Sequence, residues 1–240
     1  MKKLFALLLA MIMLVAIVGC EKKPAAMTYD QYIAAANDSE VTIEAYVAAT
    51  ESWWDGKIQV YALCDEGGYY IYDLACTEEE AAKLVPGTKV RFTGFKGEWA
   101  GEVEILDGKF EILKDKAKTF TADDVTALVG TDDLIKRMND LVAIKGLTVA
   151  ASKDANGNDA AFLYKWDGSG KQGDDLYFNV TLGDKTYTFT VNVYMLGTGA
   201  DSEVYKTIEG LQIGQVIDIE GFLYWYNGAQ PHVTSVKVVG

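Results

Sequence analysis

Residues 84–101 read LVPGTKVRFTGFKGEWAG, and residues 211–228 read LQIGQVIDIEGFLYWYNG. At a constant offset of 127, Leu84 falls on Leu211, Gly87 on Gly214, Val90 on Ile217 and Phe92 on Ile219. Gly94 then meets Gly221, Phe95 meets Phe222, Trp99 meets Tyr226 and Gly101 meets Gly228, with no gap. Three glycines and an apolar alternation kept in register over one stretch point to two copies of one domain. The question of function therefore turns to paired binding surfaces rather than to a single catalytic motif.

The rest of the chain divides around this repeat. Each copy opens with a capping-box pattern, Thr28-Tyr-Asp-Gln31 and Thr121-Ala-Asp-Asp124, which predicts a short helix in both. A strand of period two follows at 41–47 and at 141–149. Hairpins are predicted from 58–63 with 69–74, and from 176–182 with 186–194 around Gly183-Asp184. A helix comes next, opened by Thr77-Glu-Glu-Glu80 in copy one and spanning 202–208 in copy two. The repeated segment supplies the fourth strand and a turn, and 103–113 and 232–239 supply the fifth.

Five strands with a helix between the third and fourth resemble the OB-fold, a small Greek-key barrel. The fold class expected is all-β with short helices: two tandem five-stranded OB-fold barrels, at 28–116 and 117–240. The second carries an insertion at 152–175. Gly94 and Gly221 sit where such a barrel strand must bend sharply.

The ends carry a different signal. Lys2 and Lys3 precede an apolar run from Leu4 to Val18, which is short for a spanning helix and suits a signal peptide. Ile17-Val18-Gly19-Cys20 resembles a lipobox, although Ile17 departs from the preferred Leu. That resemblance implies a signal peptide at 1–19, an acylated Cys20 and a tether at 20–27. It implies a membrane anchor on the extracytoplasmic face. An ordinary secretory signal cut elsewhere is the alternative. The strand "G-x-x-V/I-x-I/F-x-G" running into an aromatic turn, at Gly87–Gly94 and Gly214–Gly221, resembles secreted and lipid-anchored bacterial OB-fold proteins. No established activity follows from that likeness, because the fold hosts many.

The net charge is −13, and −15 once Lys2 and Lys3 are removed with a leader. Such a surface repels phosphate backbones, so nucleic acid is a disfavoured partner on charge alone. Beyond Cys20 there are two cysteines, Cys64 and Cys76. Flanking a hairpin turn at 65–68, they would stand roughly 23 Å apart at strand rise. A disulfide needs Cα atoms within about 7 Å, so two buried thiols are preferred over a bridge.

Two OB-fold loops, between strands one and two and between strands four and five, share the rim where ligands commonly sit. In copy one they carry Trp53, Trp54, Asp55 and Trp99; in copy two, Tyr224, Trp225, Tyr226 and Asn227, with Trp166 on the insertion. Indole faces with nearby carboxylates suit sugar rings. Packing on one another or between the copies is the plainer role for the same residues. Asp154-Ala-Asn-Gly-Asn-Asp159 fails the EF-hand pattern, with Asp159 where Gly is required, so no metal site is expected. The single histidine, His232, has a structural role on a strand, and no P-loop, G-x-S-x-G or dinucleotide motif is present.

The sequence thus predicts a non-catalytic, lipid-anchored binding module with no catalytic residue and no cofactor. Its expected ligand is a carbohydrate, an envelope component or a partner protein. The alternatives are a nucleic-acid-binding OB-fold and a purely structural or interaction domain pair.

Overall fold

A computed structural model describes residues 25–240 of the chain. The leader at 1–19, Cys20 and the tether up to residue 24 lie outside the described residues. Among the described residues no helix is long and apolar enough to cross a membrane.

Copy one begins with α1 (Tyr29–Ala34), opened by a complete capping box. The Thr28 hydroxyl accepts from the Gln31 backbone N–H, and Gln31 Oε1 accepts from the Thr28 N–H at 2.9 Å. Strands β1 (Glu40–Thr50), β2 (Lys57–Leu63), β3 (Gly68–Ala75), β4 (Lys89–Trp99) and β5 (Glu102–Ile112) follow. Helix α2 (Glu78–Ala81) sits between β3 and β4, capped by Thr77 and Glu80. The barrel closes in the order β1-β2-β3-β5-β4, with β3 parallel to β5 and all other pairs antiparallel. Ile43, Val60, Ile71, Leu74, Phe92 and Ile105 fill it, each fully buried.

Copy two repeats this order with β6 (Leu141–Ala150), β7 (Leu176–Leu182), β8 (Lys185–Val191), β9 (Val216–Phe222) and β10 (His232–Val238). Helix α3 (Glu203–Glu209), capped by Ser202, again lies between the third and fourth strands. Pairing of β7 with β6 at one seam and of β8 with β10 at the other closes it. Both copies are OB-fold barrels by strand order. In the insertion, Ser152–Lys153 pairs with Asp159–Ala160, and Leu163–Tyr164 adds to the β7 edge.

One predicted helix is absent. Thr121–Asp124 does not open a helix; Asp123–Asp124 runs parallel to Val142–Ala143 instead. The Asp124 carboxylate accepts from the Thr126 backbone N–H at 3.0 Å and from its hydroxyl at 2.6 Å. That local turn takes up the donors a helix cap would have used. Neither cysteine is bridged, and Cys64 is only half-buried where two buried thiols are expected.

The barrels are welded face to face. The outer side of β2–β3 supplies Tyr61, Leu63 and Tyr70, which form one buried cluster with Met195 and Phe222 of copy two. Tyr61 stacks on Phe222 at 4.3 Å. Backbone bonds add to this seam: Ser52 N–H to Tyr194 O at 2.6 Å, Leu196 N–H to Thr50 O at 2.8 Å and Asn227 N–H to Ala100 O at 2.7 Å.

Gly94 and Gly221 sit at bulges in β4 and β9. A Cβ at Gly94 would stand 2.5 Å from the Leu106 carbonyl oxygen and 2.7 Å from Ile105 Cγ2. At Gly221 it would meet Val233 Cα at 2.8 Å, beside the His232 carbonyl. Gly94→Ala and Gly221→Ala should each cost about 1–3 kcal/mol, as overpacking does. Gly210→Ala, at a right-handed helix end with nothing nearer than 3.6 Å, should be neutral or stabilise by about 0.4–1 kcal/mol. Urea unfolding of the three variants checks this; equal midpoints would remove the close approach as the reason for the repeated glycine.

Candidate ligand cleft between the barrels

The β2–β3 face does two jobs along its length. Side chains alternate across a strand, so Gln59, Tyr61 and Leu63 share the outer side of β2, with Tyr70 and Tyr72 beside them on β3. Tyr61 and Leu63 are covered by copy two. Gln59 and Tyr72 run past the contact into an open cleft of about 730 Å³. Copy two supplies the opposite wall: Tyr177 and Thr188 from the β7–β8 face, Tyr224, Tyr226 and Gln230 from the β9–β10 loop, and Trp166 from the insertion. Glu51, Asn192 and His232 complete the lining. The size lies within the roughly 300–1,000 Å³ usual for ligand sites. In position it joins the strand 2–3 faces of both barrels to a strand 4–5 loop, the surfaces on which this fold binds oligonucleotides and oligosaccharides.

Polar groups in the cleft are held by neighbours. Asn192 Nδ2 donates to Glu51 Oε1 at 2.7 Å, linking the barrels across the cleft. Burial pushes the Glu51 carboxyl up to about 7, against the opposing hydrogen bond from Asn192. His232 stacks on Tyr224 at 4.4 Å, and its Nδ1 lies 3.0 Å from the Tyr61 hydroxyl. Burial lowers its pKa to about 4, so the imidazole is neutral at neutral pH. No lysine or arginine lines the cleft among the described residues.

The predicted site residues divide. Trp166, Tyr224 and Tyr226 line the cleft. Trp54 and Trp99 are 80% and 64% exposed, and they lie on separate loops whose backbones meet copy two at different places. The β1–β2 loop meets Tyr194, whereas the Trp99 turn meets Asn227. Trp53 is pinned by its indole N–H, which donates to Cys76 O at 2.9 Å. Asp55 and Asn227 take left-handed turn conformations, at φ 48° and 53°. Trp225 packs its indole over Gly101 and against the copy-two core. Sequence reasoning missed Glu51, Gln59, Tyr70, Tyr72, Tyr177, Thr188, Asn192 and Gln230, and gave His232 no place in a cleft.

A second buried carboxylate secures the junction. Glu102 has no exposed surface, and its Oε2 accepts from the Trp225 backbone N–H at 2.7 Å. Its Oε1 has no partner among the described residues, nor does Asn139 Oδ1. Burial raises its pKa to about 8, opposed by the hydrogen bond from the Trp225 N–H. A proton on Glu102 gives this acceptor-rich pocket a donor. The folded protein then holds a proton that the unfolded chain loses above about 4.5, so stability should fall as pH rises from about 5 to 8. Glu102→Gln should lessen that fall, to which Glu51 and Glu104 also contribute, and raise the urea midpoint at about pH 8.5. A variant with the wild-type slope would place the titration elsewhere.

No known family model matches the chain, and no curated protein matches it. Among solved structures, the Stn1–Ten1 complex of S. pombe matches at 23% identity and a TM-score of 0.28, over 32% of this chain and 59% of that one. A murine DNA-binding protein bound to double-stranded DNA matches at 9% identity and 0.35, over 82% of this chain and 98% of that one. A replication protein A heterotrimer bound to single-stranded DNA matches at 12% identity and 0.30, over 85% and 49%. The chain thus spans 59% of the first match and about half of the last. These likenesses are distant, and what each binds is a property of that protein.

The expected ligand, a carbohydrate, envelope component or partner protein with nucleic acid disfavoured, is corrected at the site, because the geometry removes its local basis. The copy-one tryptophans on which the sugar reading rested are divided between two junctions, and the walled cleft lies elsewhere.

Proposed function

We propose that the tandem barrels bind single-stranded nucleic acid non-catalytically in the cleft between them, by stacking bases on aromatic side chains. The observation that carries this reading is the cleft wall itself. Tyr72, Trp166, Tyr177 and Tyr226 present ring surfaces beside the amides of Gln59, Asn192 and Gln230. Aromatic faces take unstacked bases, and each such contact is worth about 1–3 kcal/mol by alanine substitution. Amides carry both donors and acceptors suited to base edges.

The acidic surface shapes the mode of binding. With no basic side chain in the cleft, few counterions are released on binding. Affinity should then change little with salt, unlike a basic groove, whose slope is about −0.7 per neutralised phosphate. Glu51 gains charge as pH passes about 7, so binding should weaken between about pH 6 and 8. Anisotropy of a labelled oligothymidylate tests all three features. Trp166→Ala and Tyr226→Ala should each weaken binding about 5- to 100-fold. Absence of binding, or variants that bind as the wild type does, would sink the cleft reading.

We further propose that Cys20 carries a lipid and holds the protein on the extracytoplasmic face of a membrane. Support comes from Lys2-Lys3, the apolar run and Ile17-Val18-Gly19-Cys20. One acyl chain gives marginal binding, so a stable anchor needs more than one. Labelled palmitate should enter the wild type and not Cys20→Ala; equal labelling would refute the anchor.

A further inference from the structure

We propose that Tyr61 fixes His232 as the Nε2–H tautomer, making the imidazole a standing hydrogen-bond donor at the floor of the cleft. The ligand group seated there is therefore an acceptor, a carbonyl oxygen or ring nitrogen of a nucleobase. This inference rests on the cleft being the binding site.

The argument begins with a proton that has one place to go. Tyr61 is 1% exposed, stacked on Phe222 and packed against Tyr70. Its hydroxyl has one hydrogen-bond partner among the described residues, His232 Nδ1 at 3.0 Å. Burial raises the Tyr61 pKa, so the phenol keeps its hydrogen. A buried donor left without an acceptor loses its hydration for nothing in return. The phenol therefore donates and Nδ1 accepts. A neutral imidazole that accepts at Nδ1 carries its hydrogen on Nε2.

The second step concerns orientation. His232 is locked between the Tyr61 contact and the Tyr224 ring, which stacks on it at an interplanar angle of 16°. With Nδ1 taken by the interface, Nε2 is the nitrogen left for the cleft that His232 lines. Tyr61 belongs to copy one and His232 to copy two, so the donor is fixed in tautomer and direction only where the barrels are docked. Tyr61 acts as a positioning residue: it sets the proton on His232 and stays out of the cleft itself.

The chain has a single histidine, which makes the test direct. A long-range proton–nitrogen correlation spectrum of the 15N-labelled full chain reads one imidazole. At neutral pH the nitrogen coupled to both ring protons, Nε2, should be the protonated one, and Nδ1 should be bare. A protonated Nδ1, or averaged nitrogens, overturns the tautomer without reference to any ligand. Tyr61→Phe keeps the stacked ring and should shift the pair toward averaged values, while weakening oligothymidylate binding about 3- to 10-fold. Adding oligothymidylate to the wild type should move Nε2 and leave Nδ1 in place. An oligonucleotide that binds by anisotropy without moving Nε2 overturns the donor role alone. An oligonucleotide that does not bind sinks the cleft reading and the ligand half of this inference, leaving the tautomer to be judged on the free protein.

Discussion

Tyr61 lies face to face with Phe222 at 4.3 Å and hydrogen-bonds to His232, and the placing of the two barrels and of the cleft between them depends on that contact. Two OB barrels on one chain would ordinarily sit on a linker and move independently, since interfaces within a chain are commonly small and polar. Here an aromatic side chain of copy one is buried wholly in copy two, and backbone bonds flank it on both sides. The cleft is the part of the two faces that the contact leaves uncovered. Its width is set by the docking, and its floor, His232, is oriented by it. A loosened Tyr61 contact would change shape and donor pattern together.

Charge is handled by burial. The chain is acidic overall, yet Glu51, Glu102 and Glu104 are all pushed up to about 7 or 8, with desolvation the leading cause in each. At neutral pH the junction therefore carries less negative charge than its formula indicates. This removes part of the objection that net charge raises against a polyanion. What remains is an uncharged aromatic surface framed by amides, which favours stacking over phosphate contact.

The fold was legible because its signals are local. The glycine-punctuated repeat, the period-two strands and the Thr77–Glu80 box each encode a backbone conformation, and each is found where it was read. The Thr121 helix failed because the same Asp that resembles a cap residue can close a turn on Thr126. The cleft was harder, since Gln59, Tyr72, Tyr177 and Thr188 occupy outer strand positions that look like ordinary half-solvated sites. They come together only through docking of segments more than a hundred residues apart. One trace was present: VYAL at 60–63 and GYYI at 68–71 lack alternation and are buried on both faces. A continuous apolar run marks a strand covered on both sides, so β2–β3 carried the mark of a partner.

The repeat also shows how a duplicated barrel acquires a one-sided site. In copy one Phe95 pairs with Leu106 across the β4–β5 ladder; in copy two Phe222 pairs with His232. The fourth strands align at an offset of 127 and the fifth at 126, so the second copy is one residue shorter between them. Carried past the turn at 127, the alignment would set His232 on Ile105, a fully buried core position. The observed pairing sets it on Leu106, which faces outward. A one-residue slip moves a side chain to the opposite face of a strand, and that slip delivers the histidine to the interface instead of the core. Phe95 and Phe222 hold equivalent places and differ only in cover: Phe95 is 45% exposed, whereas Phe222 is covered by Tyr61. The asymmetry of the site therefore needs no new fold. It follows from how the barrels dock, which sets Tyr61 over Phe222 and against His232.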